Sequence, residues 1–223
     1  MTKPLQQAEG SFEFADLTPD IILDALESVG IFAESGLLAL NSYENRVYQF
    51  LDDHKTRWVV KFYRPQRWSD QQILEEHTFT QELFDSEVPV VAPSQINQQT
   101  LHTHAGYRFS LFPSVGGRQF EVDNLDQLEQ VGRYLGRIHR VGQAKSFEYR
   151  ASFSVESHLH IPRQTLIDSD LVNPGLSTAF YTVLDMVVDA ASQRFRDTDF
   201  IRLHGDCHPS NILWRDGPSI LDL

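Results

Sequence analysis

Thr18-Pro19 is followed by apolar residues at Ile22, Leu26 and Val29, a spacing that places them on one face of a helix. Thr18 can accept a hydrogen bond from the first unpartnered backbone amides. Pro19 at the first helical position gives up a donor that would have had no partner there. Gly30 offers a stop. The period then shortens. Gly36-Leu37-Leu38-Ala39-Leu40, Val47-Tyr48-Gln49-Phe50-Leu51 and Trp58-Val59-Val60-Lys61-Phe62-Tyr63 are separated by polar stretches at 41–45 and 52–54, which predicts an antiparallel meander. Ser69-Asp70-Gln71-Gln72 has the spacing of a capping box, so a helix is expected from there to about Phe84. Val88-Pro89-Val90-Val91-Ala92-Pro93 reads as extended, because each proline disfavours helical geometry in its predecessor. Two more strands are predicted near Thr100–His104 and Tyr107–Phe112, joined at Ala105-Gly106. The stretch Pro113–Gly117 breaks the pattern.

Beyond Gly117 the helical period returns. Leu125, Leu128, Val131, Leu135 and Ile138 recur on one face, and so do Phe180, Leu184, Val187, Val188, Ala191 and Phe195. Both sets are expected to be core-facing stripes. The end of the chain predicts a short hairpin: Asn211-Ile212-Leu213-Trp214, the turn Asp216-Gly217-Pro218, then Ser219–Leu223. The expected class is α+β. Residues 1–113 form a lobe with an antiparallel sheet and attached helices, and residues 114–223 form a mostly helical second lobe carrying a polar loop.

Composition narrows the function classes. The 223 residues are 41% apolar and 22% charged, which is ordinary for a folded chain with a real core. Nineteen basic against 31 acidic side chains leave a formal charge of −12. Such a balance disfavours partners held through phosphate backbones or anionic lipid, so neither nucleic acid nor membrane is expected. The single cysteine, Cys207, cannot form an internal disulfide. No apolar run is long enough to cross a bilayer, and Met1–Glu9 lacks a hydrophobic stretch behind Lys3. A cytoplasmic monomer is the expectation.

The chemistry concentrates in Leu203-His204-Gly205-Asp206-Cys207-His208-Pro209-Ser210-Asn211. Asp206 and Asn211 bracket a tight loop, and the hairpin brings Asp222 toward the same end. Asn211 and Asp222 are hard oxygen donors suited to Mg²⁺. Asp206 is left to accept a proton from an attacking hydroxyl, which is the arrangement of kinases. Three other readings compete. Asp206 and Asn211 could simply cap a turn. His204, Cys207 and His208 could ligate zinc. His204 could be a catalytic base, although a structural role bonding loop backbone is preferred. His102, His104, His158 and His160 are expected on the surface. Lys61 lies mid-strand in an apolar run, so it either sits on an exposed face or reaches into a cleft.

Several motifs together resemble the aminoglycoside phosphotransferase/choline kinase-like superfamily, whose members share the protein-kinase fold. They are His204-Gly205-Asp206 with Asn211 and Asp222, Asn41-Ser42-Tyr43-Glu44-Asn45-Arg46-Val47-Tyr48, Val60-Lys61-Phe62-Tyr63-Arg64-Pro65, and Phe112-Pro113-Ser114-Val115-Gly116-Gly117-Arg118. Within it the chain resembles bacterial serine/threonine protein kinases of the stress response, from about Leu17 to Leu223. The resemblance implies ATP as phosphoryl donor, Mg²⁺, and a protein hydroxyl as acceptor. It implies Asp206 as catalytic base, Asp222 in catalysis and on the metal, and Asn211 on the metal. Lys61 would meet the nucleotide phosphates, with Glu76 bracing it and Glu75 left open as the alternative. Ser42 would act in place of a glycine-rich phosphate loop. Ser114 or Val115 would offer a hinge amide to adenine, since Pro113 has none. Gly205 replaces the arginine of the usual kinase triplet, so no activation-loop phosphate switch is expected. A small-molecule kinase for an amino alcohol or antibiotic would use the same loop, and a non-catalytic regulator of this fold is the remaining alternative.

The family carries a further helical part in its second lobe, so the chain ending at Leu223 is expected to bind nucleotide weakly. A thermal-shift titration with a magnesium-bound ATP analogue checks this. The expected shift is smaller than that of a chain carrying the further helical part, and an equal shift refutes the expectation.

Overall fold

Thr18 is extended, and its hydroxyl accepts from Ile21 N–H at 3.4 Å to open α1 (Pro19–Ser28). Gly30, at φ 84°, turns the chain away. These residues belong to a computed structural model that describes residues 14–223, so the reading of Met1–Glu9 lies outside the described residues. The meander follows as expected: β1 (Leu38–Leu40), β2 (Arg46–Leu51) and β3 (Arg57–Phe62), each antiparallel to the next. Next comes α2 (Asp70–Asp85), where the Ser69–Gln72 capping box forms in both directions. β4 (His102–His104) and β5 (Tyr107–Pro113) are joined through Ala105 and Gly106, both at positive φ. β5 pairs with β3, so the five-stranded sheet has the order β1-β2-β3-β5-β4.

One face of this sheet carries the core. Phe50, Val60, Phe62, Phe109 and Leu111 pack against Ile22, Ala25 and Leu26 of α1. Side chains alternate along a strand, so burying Val60 and Phe62 on this face sends Lys61 to the other one, toward α2. His102 corrects an expectation. It opposes Phe109 in the ladder and is buried against that ring at 5.4 Å, rather than lying on the surface. Burial pulls its pKa below the ordinary imidazole value.

A second sheet, β6 (Arg118–Gln119), β7 (Ile212–Trp214) and β8 (Pro218–Ile220), has the order β6-β7-β8. The extended 88–93 segment docks on it, with Ile220 N–H donating to Pro89 O at 2.7 Å and Val91 N–H to Ile220 O at 3.0 Å. Between β6 and β7 in the chain, α3 (Leu125–Gly142) is capped by Asn124. Its buried line is Gln127, Val131 and Ile138, whereas Leu125 and Leu128 are exposed. The reason is polar. Gln127 Oε1 accepts from Glu121 N–H at 3.2 Å, which anchors the helix along a face rotated from the leucines.

The described residues up to Ala144 form one compact unit with Leu203–Leu223, and Lys145–Arg202 form another. The second unit holds a π-helical turn (Glu156–His160), α4 (Ile161–Ser169) and α5 (Ser177–Phe195). His158 and His160 lie on this helical turn and are exposed, as surface residues are expected to be. The α5 stripe is only partly internal: Val188 is buried, while Phe180 and Val187 are exposed. The short α4 meets α5 through a bidentate Arg163–Asp185 pair (2.6 and 3.2 Å), which covers little apolar surface. Among the described residues no helix is long and apolar enough to cross a membrane.

The β2–β3 turn is built around the buried Asp52. Its carboxylate accepts from His54 N–H (2.9 Å), Thr56 N–H (2.7 Å) and Trp58 Nε1–H (2.8 Å). Burial alone would raise its pKa, but the Trp58 indole and the two amides hold it below the usual value. The stabilisation is complete above the unfolded-state carboxylate pKa of about 3.9 and is lost as pH falls through the lower folded value. Denaturation at several pH values is expected to show a shallower acid decline in Asp52→Ala than in the parent. Identical slopes would count against this role.

Candidate active site

Lys61 is 9% exposed and stands on the face of β3 opposite the α1 core. Its ammonium donates to Asp222 Oδ1 and lies 3.9 Å from Glu76 Oε1. It also sits 5.2 Å from the centre of the Tyr63 ring, two residues along the same face. Burial taken alone would lower the lysine pKa. Glu76, Tyr63 and Asp222 together outweigh burial and hold it well above the ordinary amine value. The Glu76 side chain is only 14% exposed against 50% for Asp222, so water screens its charge less. The partner expected on α2 is therefore met by Glu76, which is the neighbour of Glu75 that reaches the lysine.

The loop after Leu203 is fixed by its own histidine. His204 is buried; its Nε2 donates to Leu221 O at 2.9 Å, and its Nδ1 accepts from Asp206 N–H at 3.3 Å. Burial keeps its pKa below the ordinary value, so the ring is neutral, with the proton on Nε2. Both nitrogens serve backbone, as the structural reading requires. Gly205, at φ 83°, supplies the left-handed turn that a side chain would resist. Asn211 Nδ2 donates to Asp206 O at 3.0 Å, a bond that does not engage the amide oxygen. Asn211 belongs to a short 3₁₀ turn, Pro209–Asn211, capped by His208 Nδ1. His208 Nε2 is 3.6 Å from Asp206 Oδ2. The Asp206 carboxylate itself is 74% exposed.

Leu221 N–H donates to Asn211 O at 2.8 Å. This rung sets Asn211 against the residue before Asp222, while His204 holds the carbonyl of the same Leu221. Asp222 then takes φ 55°, which turns its carboxylate toward Lys61. Lys61 and Asp222 thus meet, and Asn211 is paired through its backbone with the residue before Asp222. Asn211 and Asp222 carry hard oxygen donors, of the kind that suits Mg²⁺ when phosphates and water complete the shell. Among the described residues, no group of three or more His, Cys, Asp or Glu is arranged to hold a metal.

Ser42 is exposed, and its hydroxyl accepts from Asn45 N–H at 3.3 Å. Asn45 is buried, and its Oδ1 accepts from Arg64 N–H at 3.2 Å, tying the β1–β2 loop to the end of β3. Asn45 was not singled out from the sequence, where it reads as one more polar turn residue. Ser114 accepts from Gln49 Nε2 at 2.6 Å and spends its own amide on Arg57 O at 3.1 Å. Of the two hinge amides, only that of Val115 makes no hydrogen bond among the described residues. Tyr63 and His77 also escaped the sequence reading. Tyr63 had a usable signal, since it lies two residues from Lys61 on one strand face.

The model of the phosphotransferase enzyme family matches residues 37–223. The chain is 53% identical over 217 residues to the serine/threonine protein kinase RdoA of Salmonella typhimurium, covering 96% of this chain and 66% of the relative. It is equally similar, over 214 residues, to stress response kinase A of Escherichia coli K12, of which it covers 65%. It thus spans just under two thirds of the length of these relatives. Among solved structures, an amicoumacin kinase in complex with AMP-PNP, Ca²⁺ and Ami aligns with a TM-score of 0.69 at 16% identity, covering 95% of this chain and 66% of that one. A microcompartment-associated aminopropanol kinase also reaches 0.69 at 18% identity, covering 91% and 68%. The α+β fold is that of these phosphotransferases.

Replacing His204 by Leu strands Leu221 O and Asp206 N–H, at about 1–3 kcal/mol for each buried group left unpaired. Because the folded pKa of His204 is depressed, its contribution is whole above the unfolded value near 6.5 and declines as pH falls toward the folded one. Stability measured by urea denaturation between pH 7.5 and about 5 is expected to fall less steeply in His204→Leu than in the parent. An unchanged slope would remove His204 as the titrating group.

Proposed function

Because the chain belongs to the phosphotransferase enzyme family, we propose that it transfers the γ-phosphoryl group of ATP to serine or threonine hydroxyls of a protein. The observation that carries this reading is the contact of the Lys61 ammonium with the Asp222 carboxylate, with Asn211 paired through its backbone to the residue before Asp222 and bonded to the backbone of the exposed Asp206. The names of relatives that are 53% identical favour a protein acceptor and a role in the bacterial stress response. We keep the two-lobed reading, 1–113 and 114–223, with nucleotide between β3 and the 203–211 loop, in a cytoplasmic monomer.

In this reading Lys61, braced by Glu76, orients the α- and β-phosphates, and the Ser42 loop covers them. Val115 N–H meets the adenine edge. Asn211 and Asp222 would hold a divalent cation, which would neutralise phosphate charge. Asp206 accepts the proton of the acceptor hydroxyl as its oxygen attacks the γ-phosphorus and the bond to the β-phosphate bridging oxygen breaks. Its exposure suits a base that must meet a macromolecular substrate. His204 and Asn211 hold the Asp206 backbone from two sides, so the base arrives already placed. Most of the rate enhancement is then positioning and charge compensation.

The test is phosphotransfer from labelled ATP to generic protein acceptors and, in parallel, to amino alcohols. Label is expected on protein serine or threonine. Label confined to amino alcohols would move the assignment to a small-molecule kinase, and no turnover with any acceptor would sink it. Asp206→Ala is expected to keep nucleotide binding and lose about 10²–10⁴-fold in turnover. Asp222→Ala is expected to weaken magnesium-dependent nucleotide binding, read by calorimetry. Full activity in Asp206→Ala would remove the base assignment.

A further inference from the structure

We propose that Tyr63 and His77 are positioning residues that set the approach of Glu76 to Lys61. The inference rests on the reading of Lys61 as the phosphate-binding lysine and adds to it what keeps that lysine in place. His77 is 4% exposed, and both of its ring nitrogens are engaged: Nε2 with Tyr63 Oη and Nδ1 with Thr100 Oγ1, each at 2.8 Å. Tyr63 is 2% exposed and is itself the ring beneath the Lys61 ammonium. A buried polar chain therefore runs Thr100–His77–Tyr63 and ends at Lys61.

The geometry explains why this chain bears on Glu76. Glu76 and His77 are consecutive on α2, so their side chains diverge by about 100° around the helix axis. Glu76 Oε1 stands 3.9 Å from Lys61 Nζ, at the edge of ion-pair range. At a side-chain radius of roughly 5–6 Å, a 20° roll of α2 would move that carboxylate by about 2 Å. The N-terminal end of α2 is held by Arg108, which donates to Trp68 O and Asp70 Oδ1. Arg108 O also receives Tyr63 N–H at 2.9 Å. Buried Ile73, Phe79 and Leu83 pack the core side of α2 and limit its roll. The His77–Tyr63 bond adds a directional tie one residue from Glu76, against the strand that carries Lys61. Cutting the chain loosens that tie, weakens the pairing of a buried cation and opens the amine to reagents.

The experiment reads Lys61 directly. Acetylation by a limiting amine-reactive ester, resolved by peptide mass spectrometry, gives the rate at Lys61 relative to the exposed Lys55 in the same molecule. Tyr63→Phe, His77→Leu and Thr100→Val are compared with the parent at matched folded fraction. The expected result is a rise in the Lys61:Lys55 ratio of at least about threefold for Tyr63→Phe and His77→Leu. His77→Gln, which keeps one donor and one acceptor, is expected to recover part of the protection. Thr100 lines an open groove with Asp70, Leu74 and Thr103, so Thr100→Val tests the chain without cutting into the core. If His77→Leu does not fold, Tyr63→Phe and Thr100→Val decide. Folded variants that lose melting temperature yet keep the parental ratio would make the chain merely structural and overturn the proposal. Absent ATP turnover in the parent would fail the kinase reading and leave this ratio still measurable. Turnover in the parent with unchanged ratios would fail the positioning proposal alone.

Discussion

A lysine ammonium buried on the inner face of a sheet is the constraint around which the rest is arranged. Left unpaired, Lys61 would lose its proton or pull water into the structure. It keeps its charge because Glu76 comes from α2 and Asp222 from two residues beyond β8. Neither carboxylate is near it in sequence. The sheet order that puts β3 at the centre, the capping that fixes α2 and the pairing of β8 with the 88–93 segment are each conditions for that meeting. A cation satisfied by two distant carboxylates is weak evidence of stability, since an apolar residue of equal size would cost less to bury. Its retention is better explained by use.

The same logic governs the loop opposite. Asp206 carries an exposed side chain on an immobilised backbone. His204 takes its N–H, Asn211 takes its C=O, and His204 also reaches across to Leu221, whose own N–H returns to Asn211. The circuit closes through two strands and a 3₁₀ turn. A neutral His204 is required for it, because protonation of Nδ1 would set a donor against the Asp206 amide. The buried imidazole and the placement of the carboxylate are one arrangement.

What could be read from the chain, and what could not, follows the range of the forces involved. The Thr18 and Ser69 caps and the β1–β3 alternation depend on neighbours a few residues away, and they form where local pattern predicts. Lys61, Asp206, Asn211 and Asp222 could be singled out because their chemistry conflicts with a bland local setting, and Glu76, with Glu75 as the alternative, because the resemblance to kinases calls for an acidic partner of Lys61 on the helix after Ser69. The failures are long-range. β6 is two residues that acquire strand geometry only by pairing with β7. Leu125 and Leu128 have the right period, but a glutamine bond to Glu121 sets the rotation of α3. His102 looked polar and external, yet its register opposite Phe109 decides its burial. His77 was invisible for the same reason, since both of its partners belong to other elements.

Asp222 is the place where these two sets of constraints meet. Its left-handed φ of 55° is uncommon for aspartate and costs on the order of 1 kcal/mol or more, so something must hold it there. The Leu221 rung on one side and the Lys61 contact on the other do so. On the proposed function the residue has two occupations: pairing with Lys61, and presenting oxygen to a cation beside Asn211. Lys61 likewise has alternative partners in Asp222, Glu76 and a phosphate. Nucleotide phosphates arriving at Lys61 would draw the ammonium from Asp222 while bringing the cation that replaces it. At no stage is a buried charge left without an opposite. That exchange requires Glu76 to stay within reach throughout, which is why the azimuth of α2, and whatever fixes it, belongs to the chemistry of the site as much as the groups that touch the phosphates.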